Sequence, residues 1–488
     1  MAEAPIMTPS DDGSLTDVRA LVRAQELALD FIASLPSRPV GARADAASLL
    51  AALGGPIPAS GEDAVDVVEH LARSADPGLV ATAGPRFFGF VIGGSVPAAR
   101  AIDSLVGTWD QNAALFAASP AAAVVEDVAA GWILDVLGLP AAASVGFVTG
   151  GQMANFTCLA AARHAVLERA GWDVERDGLI GAPRVNVVVS AESHATILAA
   201  LRLVGLGSGG AIRVPTDAQG RMLGEALTKV LASLEGPTIV CAQAGNVDTG
   251  AFDELAAIGA LTRAQGAWLH VDGAFGLWAA AAPDRRHLVE GLPLADSWAT
   301  DAHKWLNVPY DCGIAIVADP ATHHGSMTVR GAYLLRGSDG ERDNHDWVPE
   351  SSRRARGFVV YAALRSLGRS GVADLVERSC RLAARMADLL GEEPGITVLN
   401  DVVLNQVLLR VEPQDGRDPD QLTREAIAGI QADGTCWLGG TRWHDRQAMR
   451  ISISNWSTTE ADIDRSAAAI VRVVRQVLGE ANGRGVRS

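Results

Sequence analysis

Lys304 sits in the run Ser297-Trp298-Ala299-Thr300-Asp301-Ala302-His303-Lys304-Trp305-Leu306-Asn307, after one apolar stretch and before another, Gly313 to Val317. Most lysines are solvated surface charges. One placed between two apolar strands is either a plain strand-end charge or an amine kept ready to form an imine with a carbonyl. Upstream residues bear on the choice. Trp268-Leu269-His270-Val271-Asp272 reads as an apolar strand ending in an acid. Phe147-Val148-Thr149-Gly150-Gly151-Gln152 reads as a glycine turn entering a helix, and Ser190-Ala191-Glu192-Ser193-His194 puts a histidine just past another strand. Each also has a bland reading: acids commonly close strands, turns need glycine, and a lone histidine is more often a surface or core residue.

These residues need elements that bring them together. Val185 to Val189, Thr238 to Ala242, Trp268 to Asp272, Ser297 to Thr300 and Gly313 to Val317 are short β-rich or apolar runs. Helical patterns lie between several of them, such as Phe252 to Gln265. That alternation predicts a largely parallel sheet covered on both faces. Ligands of such sheets gather beyond the carboxyl ends of the strands, where His194, Asp272 and Lys304 all fall. A glycine turn offering N–H groups to a phosphate, a partner for a flat ring, an acid and an imine-forming lysine together describe a site for pyridoxal 5′-phosphate (PLP).

On these stations the chain resembles the group II PLP-dependent amino acid decarboxylases, the family of the aromatic-L-amino-acid and glutamate decarboxylases. The resemblance runs from about residue 80 to the C-terminus. It implies an α/β chain of PLP fold type I acting as a carboxy-lyase. By the same resemblance, Lys304 holds the cofactor as an imine, Asp272 faces the pyridine nitrogen, His194 stacks on the ring and His303 reaches the phosphate. Thr149, Gly150, Gly151 and Gln152 form the phosphate turn. Relatives often carry a serine and an acid where Gln152 and Met153 stand, so main-chain N–H groups take a larger share here. Asn246, Thr249 and Ala274 fall beside the cofactor. Phe87 and Phe88 match part of the substrate pocket or are ordinary core aromatics. Arg450 matches an arginine near the substrate carboxylate in the glutamate-type branch, or is a strand-end salt bridge. Phe87, Phe88 and Trp347 lean toward an aromatic substrate and Arg450 toward an acidic one; the aromatic reading is preferred.

One departure concerns the fate of the carbanion. Related decarboxylases use a loop tyrosine to protonate it, and the corresponding loop, Tyr333 to Ser352, has Asn344 at the matching position with His345 beside it. No tyrosine lies between Tyr333 and Tyr361. Either His345 donates the proton, as an imidazole can near neutral pH, or the carbanion is oxidised. The second outcome is an oxygen-dependent decarboxylation and deamination to an aldehyde. Transamination and retro-aldol cleavage also stay open.

The length of 488 residues predicts a large domain with smaller attachments. We divide the chain into an N-terminal helical extension (1–82), a PLP-binding domain (83–370) and a small α+β domain (371–488). Helices are predicted over Leu15 to Leu35, Asp63 to Ala75 and Val372 to Leu390. Small-domain strands are predicted at Val403 to Val411 and Met449 to Ser454. A capping box at Ser457-Thr458-Thr459-Glu460 should open a last helix ending near Leu478, before a frayed tail from Asn482. The resemblance makes the extension a packing surface of an obligate homodimer with the active site at the subunit interface. A formal net charge of -16 argues against nucleic acid as the main partner. Five scattered cysteines without metal spacing, no apolar signal core over Met1 to Asp17 and no charge-free run of about twenty apolar residues lead us to expect a cytoplasmic protein without bound metal or membrane anchor.

Overall fold

The computed structural model describes residues 18–329 and 341–479. The expectations for Met1 to Asp17, for Tyr333 and for the tail from Asn482 fall outside these residues. Seven strands form the main sheet: β1 Ser144–Val148, β2 Asn186–Ser190, β3 Ile212–Val214, β4 Thr238–Gln243, β5 Trp268–Asp272, β6 Ser297–Asp301 and β7 Gly313–Val317. Their order is β1-β7-β6-β5-β4-β2-β3. Only β7 runs against its neighbours.

Both faces of this sheet are dry. Val187 and Val189 pack with Leu159 and Ala162 of the helix Gly151–Arg169, whereas Val188 packs on the opposite side with Val240 and Val271. The period-two alternation of a strand sends neighbouring side chains to opposite layers, and here both layers are apolar. That is why β4 and β7 read as nearly continuous apolar runs. The fold is α/β, as the strand pattern predicts.

A second sheet joins β8 Ile396–Val398, β9 Gln406–Val411, β10 Gly439–Trp443 and β11 Arg446–Ser452 in the order β10-β11-β9-β8, all antiparallel. The helices Pro419–Asp433 and Glu460–Val477 share a core with it through Leu422, Ile430, Ile463 and Ile470. The cap of the last helix is Thr459 with Asp462, two residues beyond the expected start of the box, because these two side chains exchange hydrogen bonds with each other's backbone. The helix expected from Val372 begins instead at Gly357 and runs to Gly391. It bends at Gly368, whose φ of 63° interrupts the helical pattern that the sequence would otherwise show.

The N-terminal piece holds the helices Arg19–Ser34, Ala46–Leu53 and Ala64–Ala75, the last two capped by Asp45 and Asp63. None of their residues is buried, and Leu21, Val22, Leu29, Leu50 and Leu71 are exposed. Among the described residues, no helix is long and apolar enough to cross a membrane.

Candidate active site

The strand ends and the loops beyond them enclose a cleft of ≈ 290 Å³ whose lining includes Gly150, Gly151, Gln152, His194, Asp272, Ala274, His303 and Lys304. Lys304 is held from several sides. Its Nζ lies 2.9 Å from Oδ2 of Asp301, a nearly fully buried carboxylate at the end of β6. Three residues on, Asn307 takes a left-handed φ of 56°, which asparagine tolerates better than most residues. Its Nδ2 donates to the carbonyls of Trp305 and Ser454, and its Oδ1 accepts from the N–H of Trp456. A Cβ on Gly93 would come within 1.7 Å of the Lys304 carbonyl, so only glycine lets that segment close over the loop. The lysine loop is thereby tied to the small sheet's trailing segment.

Asp272 ends β5 and is buried. Its Oδ1 accepts the N–H of Ala274 at 3.2 Å and its Oδ2 accepts Asn155 Nδ2 at 3.2 Å. His194 is the N-cap of the helix Ala195–Leu203. Its Nδ1 accepts the Thr196 N–H at 3.3 Å, so the neutral ring carries its proton on Nε2. Burial lowers its pKa more than the Asp272 charge raises it, which favours the neutral ring.

The helix Gly151–Arg169 starts at the cleft and presents free N–H groups there. A Cβ on Gly151 would meet Asp301 Oδ2 at 2.7 Å, and one on Gly150 would meet His303 Cε1 at 3.2 Å. The turn is a cradle that side chains would fill. His303 Nδ1 accepts the Cys312 N–H at 3.1 Å, which leaves Nε2–H as the donor edge of the neutral ring. Burial also lowers this histidine's pKa, against the opposing charge of Asp301. A glycine cradle, a helix start, a neutral imidazole donor, a carboxylate and one amine form a donor set that fits PLP. Asp301 Oδ1 lies 3.6 Å from His303 Nε2, so this carboxylate faces the donor edge of the imidazole.

Several candidates lie elsewhere. Thr149 precedes the turn and is not part of the lining. Asn246 caps a tight turn, its Oδ1 accepting from the N–H groups of Asp248 and Thr249, and the Thr249 hydroxyl donates to the Gln219 carbonyl. Phe87 and Phe88 are not part of the cleft lining. Phe87 stacks on Trp437 at 5.0 Å, and Phe88 lies in the core of the small sheet, because both side chains find apolar neighbours there. Trp347 packs against His323 and under Arg342. His345 is outside the cleft lining: its ring is buried, and its backbone N–H donates to the Ala114 carbonyl. Arg450 makes the salt bridge, with Nη1 3.2 Å from Asp248 Oδ1, close behind the cleft residue Val247.

Sequence reasoning passed over Asn155, Asp301, Thr196, Gln243, Phe275 and Tyr310. Asp301 carried a signal, lying three residues before Lys304 at the end of an apolar run. Tyr310 stacks on His303 with ring centroids 4.2 Å apart.

Buried imidazoles give the protein a pH-dependent stability. His270 and His323 are fully buried, and desolvation takes both from the ordinary 6.5 down to about 3. The unfolded chain therefore binds protons that the folded chain refuses. Their contribution is complete above pH 6.5 and is lost as pH falls toward 3, by roughly 1 kcal/mol per pH unit for each group. Urea midpoints should be lower at pH 5 than at pH 7, and His323→Gln, away from the cleft, should shrink that difference.

The pyridoxal-dependent decarboxylase conserved domain matches residues 49–412. The chain belongs to the pyridoxal-dependent decarboxylase family. It is a PLP-dependent carboxy-lyase acting on amino acids. An aromatic-L-amino-acid decarboxylase of Bacillus atrophaeus is 27% identical, over 90% of this chain and 91% of that protein. A 4-hydroxyphenylacetaldehyde synthase of Rhodiola rosea is 26% identical over 93% and 95%. The crystal structure of Oryza sativa TDC with PLP and tryptamine superimposes with a TM-score of 0.88 at 24% identity, covering 95% of this chain and 99% of that one. This likeness confirms PLP fold type I.

Proposed function

We propose that this decarboxylase acts on an L-amino acid with an aromatic side chain and releases carbon dioxide and the corresponding amine. The observation that carries the reading is the meeting of Lys304, Asp272 and His194 in one cleft at the strand ends. When bound, PLP withdraws the electron pair left on the α-carbon as the carboxylate departs. This chain's residues do the rest. Lys304, whose amine faces the cleft, would hold the cofactor covalently. Asp272 would offer a carboxylate to the ring nitrogen, and His194 a neutral imidazole to the ring. Gly150, Gly151 and Gln152 offer main-chain N–H groups to the phosphate, and His303 offers Nε2–H. Arg450 contacts the substrate carboxylate only in competition with Asp248.

The names of the Bacillus atrophaeus protein and of tryptophan decarboxylase 1 of Oryza sativa, 27% identical, support the aromatic class. The Rhodiola rosea relative and the lack of a tyrosine between Tyr333 and Tyr361 support a second reading, oxidation to an aldehyde. We also propose a cytoplasmic homodimer, divided at residues 82 and 370, with the cleft at the subunit interface. The uncovered apolar side chains of the first three helices support the dimer.

The test loads the protein with PLP, supplies aromatic, acidic and basic L-amino acids, and follows carbon dioxide, amine, ammonia and hydrogen peroxide together. Carbon dioxide with a matching amine from aromatic substrates is the expected result. Peroxide and ammonia in step with carbon dioxide would replace it with the aldehyde reading. Activity confined to acidic or basic substrates would overturn the aromatic class.

A further inference from the structure

Behind Asp272 a line of buried polar groups crosses the sheet. Trp268 Nε1 lies 2.9 Å from Ser297 Oγ, which lies 3.0 Å from His270 Nδ1. His270 Nε2 lies 2.9 Å from Asn155 Oδ1, and Asn155 Nδ2 lies 3.2 Å from Asp272 Oδ2 and 3.4 Å from Thr196 Oγ1. Thr196 Oγ1 is 2.8 Å from His194 Nδ1. Trp268, Ser297, His270 and Asn155 are all buried.

The direction of the hydrogens in this line follows from the carboxylate end. A carboxylate can only accept, so Asn155 turns its amide hydrogens toward Asp272 and its carbonyl toward His270 Nε2, which must then carry the proton. His270 Nδ1 is left as an acceptor for the Ser297 hydroxyl, whose oxygen accepts in turn from the Trp268 indole N–H. Of the two amide hydrogens of Asn155, one reaches Asp272 and the other reaches Thr196, whose hydroxyl hydrogen is left for His194 Nδ1. Reversing Asn155 would set donor against donor at His270 and acceptor against carboxylate at Asp272. In a buried, low-dielectric place such mismatches are costly.

We propose that Asn155 is a positioning residue at the branch of a one-way hydrogen-bond network, fixing Asp272 as an acceptor and His194 as the Nε2–H tautomer for the cofactor. The role rests on the reading of Asp272 and His194 as the groups that face PLP. It explains why an asparagine interrupts the apolar face of the helix Gly151–Arg169, where its side chain is fully buried. His270 acts in the line as a neutral relay.

The titratable and charged groups facing Asn155 and Asp272 are His270, His194, Lys304, Cys158 and Cys241, with Arg450 and Asp248 beyond His194. Burial pushes Cys158 up to about 12 and raises Cys241 as well, so neither thiol titrates near neutrality. His270 stays neutral, and His194 is the remaining imidazole.

Two measurements on the full-length protein test the network. Histidine-selective ¹⁵N NMR, with PLP bound and after its removal, should show His270 protonated on Nε2 and unchanged between pH 8 and about pH 5. A proton on Nδ1 would overturn the proposal without bearing on the reaction catalysed. The second measurement uses Asn155→Asp, which keeps the size but faces Asp272 with a second acid. A pair of carboxyl groups so placed must share a proton. The PLP dissociation constant of the variant should therefore rise by roughly tenfold or more between pH 6.5 and 8.5, while that of the parent protein stays nearly flat. A merely structural defect would weaken binding equally across that range, and that result would also overturn the proposal.

Discussion

Replacing Lys304 with alanine should abolish turnover and leave PLP bound without a covalent link. The sequence contains two lysines, and the other, Lys229, is exposed on the helix Gly224–Ala232, away from the cleft lining. No second lysine is therefore available nearby to take over. The geometry also holds this amine in place through Asp301, Asn307 and the close approach of Gly93, so its loss removes a group delivered to one position. A nucleophile acting only through a covalent bond has no partial substitute, unlike a residue that merely tunes charge. Borohydride reduction followed by intact-mass measurement makes the check direct. The parent protein should gain one reduced cofactor, on the peptide containing Lys304, and the variant none. A variant that keeps its turnover, or that still gains the label on Lys229, would remove Lys304 from the reaction.

The parts of this molecule that were legible in the sequence share a physical cause. β5 and β7 were readable to the residue because strands covered on both faces are mostly apolar, even where one buried polar residue such as His270 interrupts them. Lys304, Asp272 and His194 stood out because each follows such a run. What could not be read depends on neighbours distant in the chain. Phe87 and Phe88 are as apolar as any pocket residue, and only the position of Trp437, far along the chain, decides that Phe87 belongs to a core. β1 and β7 lie far apart in sequence, so nothing local announced their pairing.

Buried polar residues were the harder case. Asn155 sits among Ala154, Thr157 and Cys158, and its side chain acquires meaning only from His270 and Asp272, each more than a hundred residues away. Arg450 could be read in two ways, and Asp248 supplied the salt-bridge partner. The loop leading to Ser352 shows the limit of matching positions by count. His345 adjoins the position expected for a proton donor, yet its segment packs against Ala114 and turns the ring into the protein. A count along the chain fixes sequence distance and leaves the direction of a side chain open.

Asp272→Asn is expected to lower kcat by a factor on the order of 10³, with a much smaller change in KM, because a preorganised charge is lost where charge develops in the transition state. Both carboxylate oxygens are already acceptors, toward Ala274 N–H and Asn155 Nδ2. An asparagine in the same place must turn its NH₂ group toward one of these donors, so it also loses a hydrogen bond. Toward the ring it offers an amide in place of a carboxylate, and the positive charge on the pyridine nitrogen is no longer matched. Lys304 would still hold the cofactor where the substrate amine can take its place, which explains why binding suffers less than turnover. Cofactor occupancy from the visible absorbance, measured beside steady-state rates, separates the two effects. A fully loaded Asp272→Asn enzyme with near-parental kcat would show that the carboxylate closes a strand and does no more. A slow but loaded enzyme would identify the carboxylate as the group that makes the ring an effective acceptor of electrons.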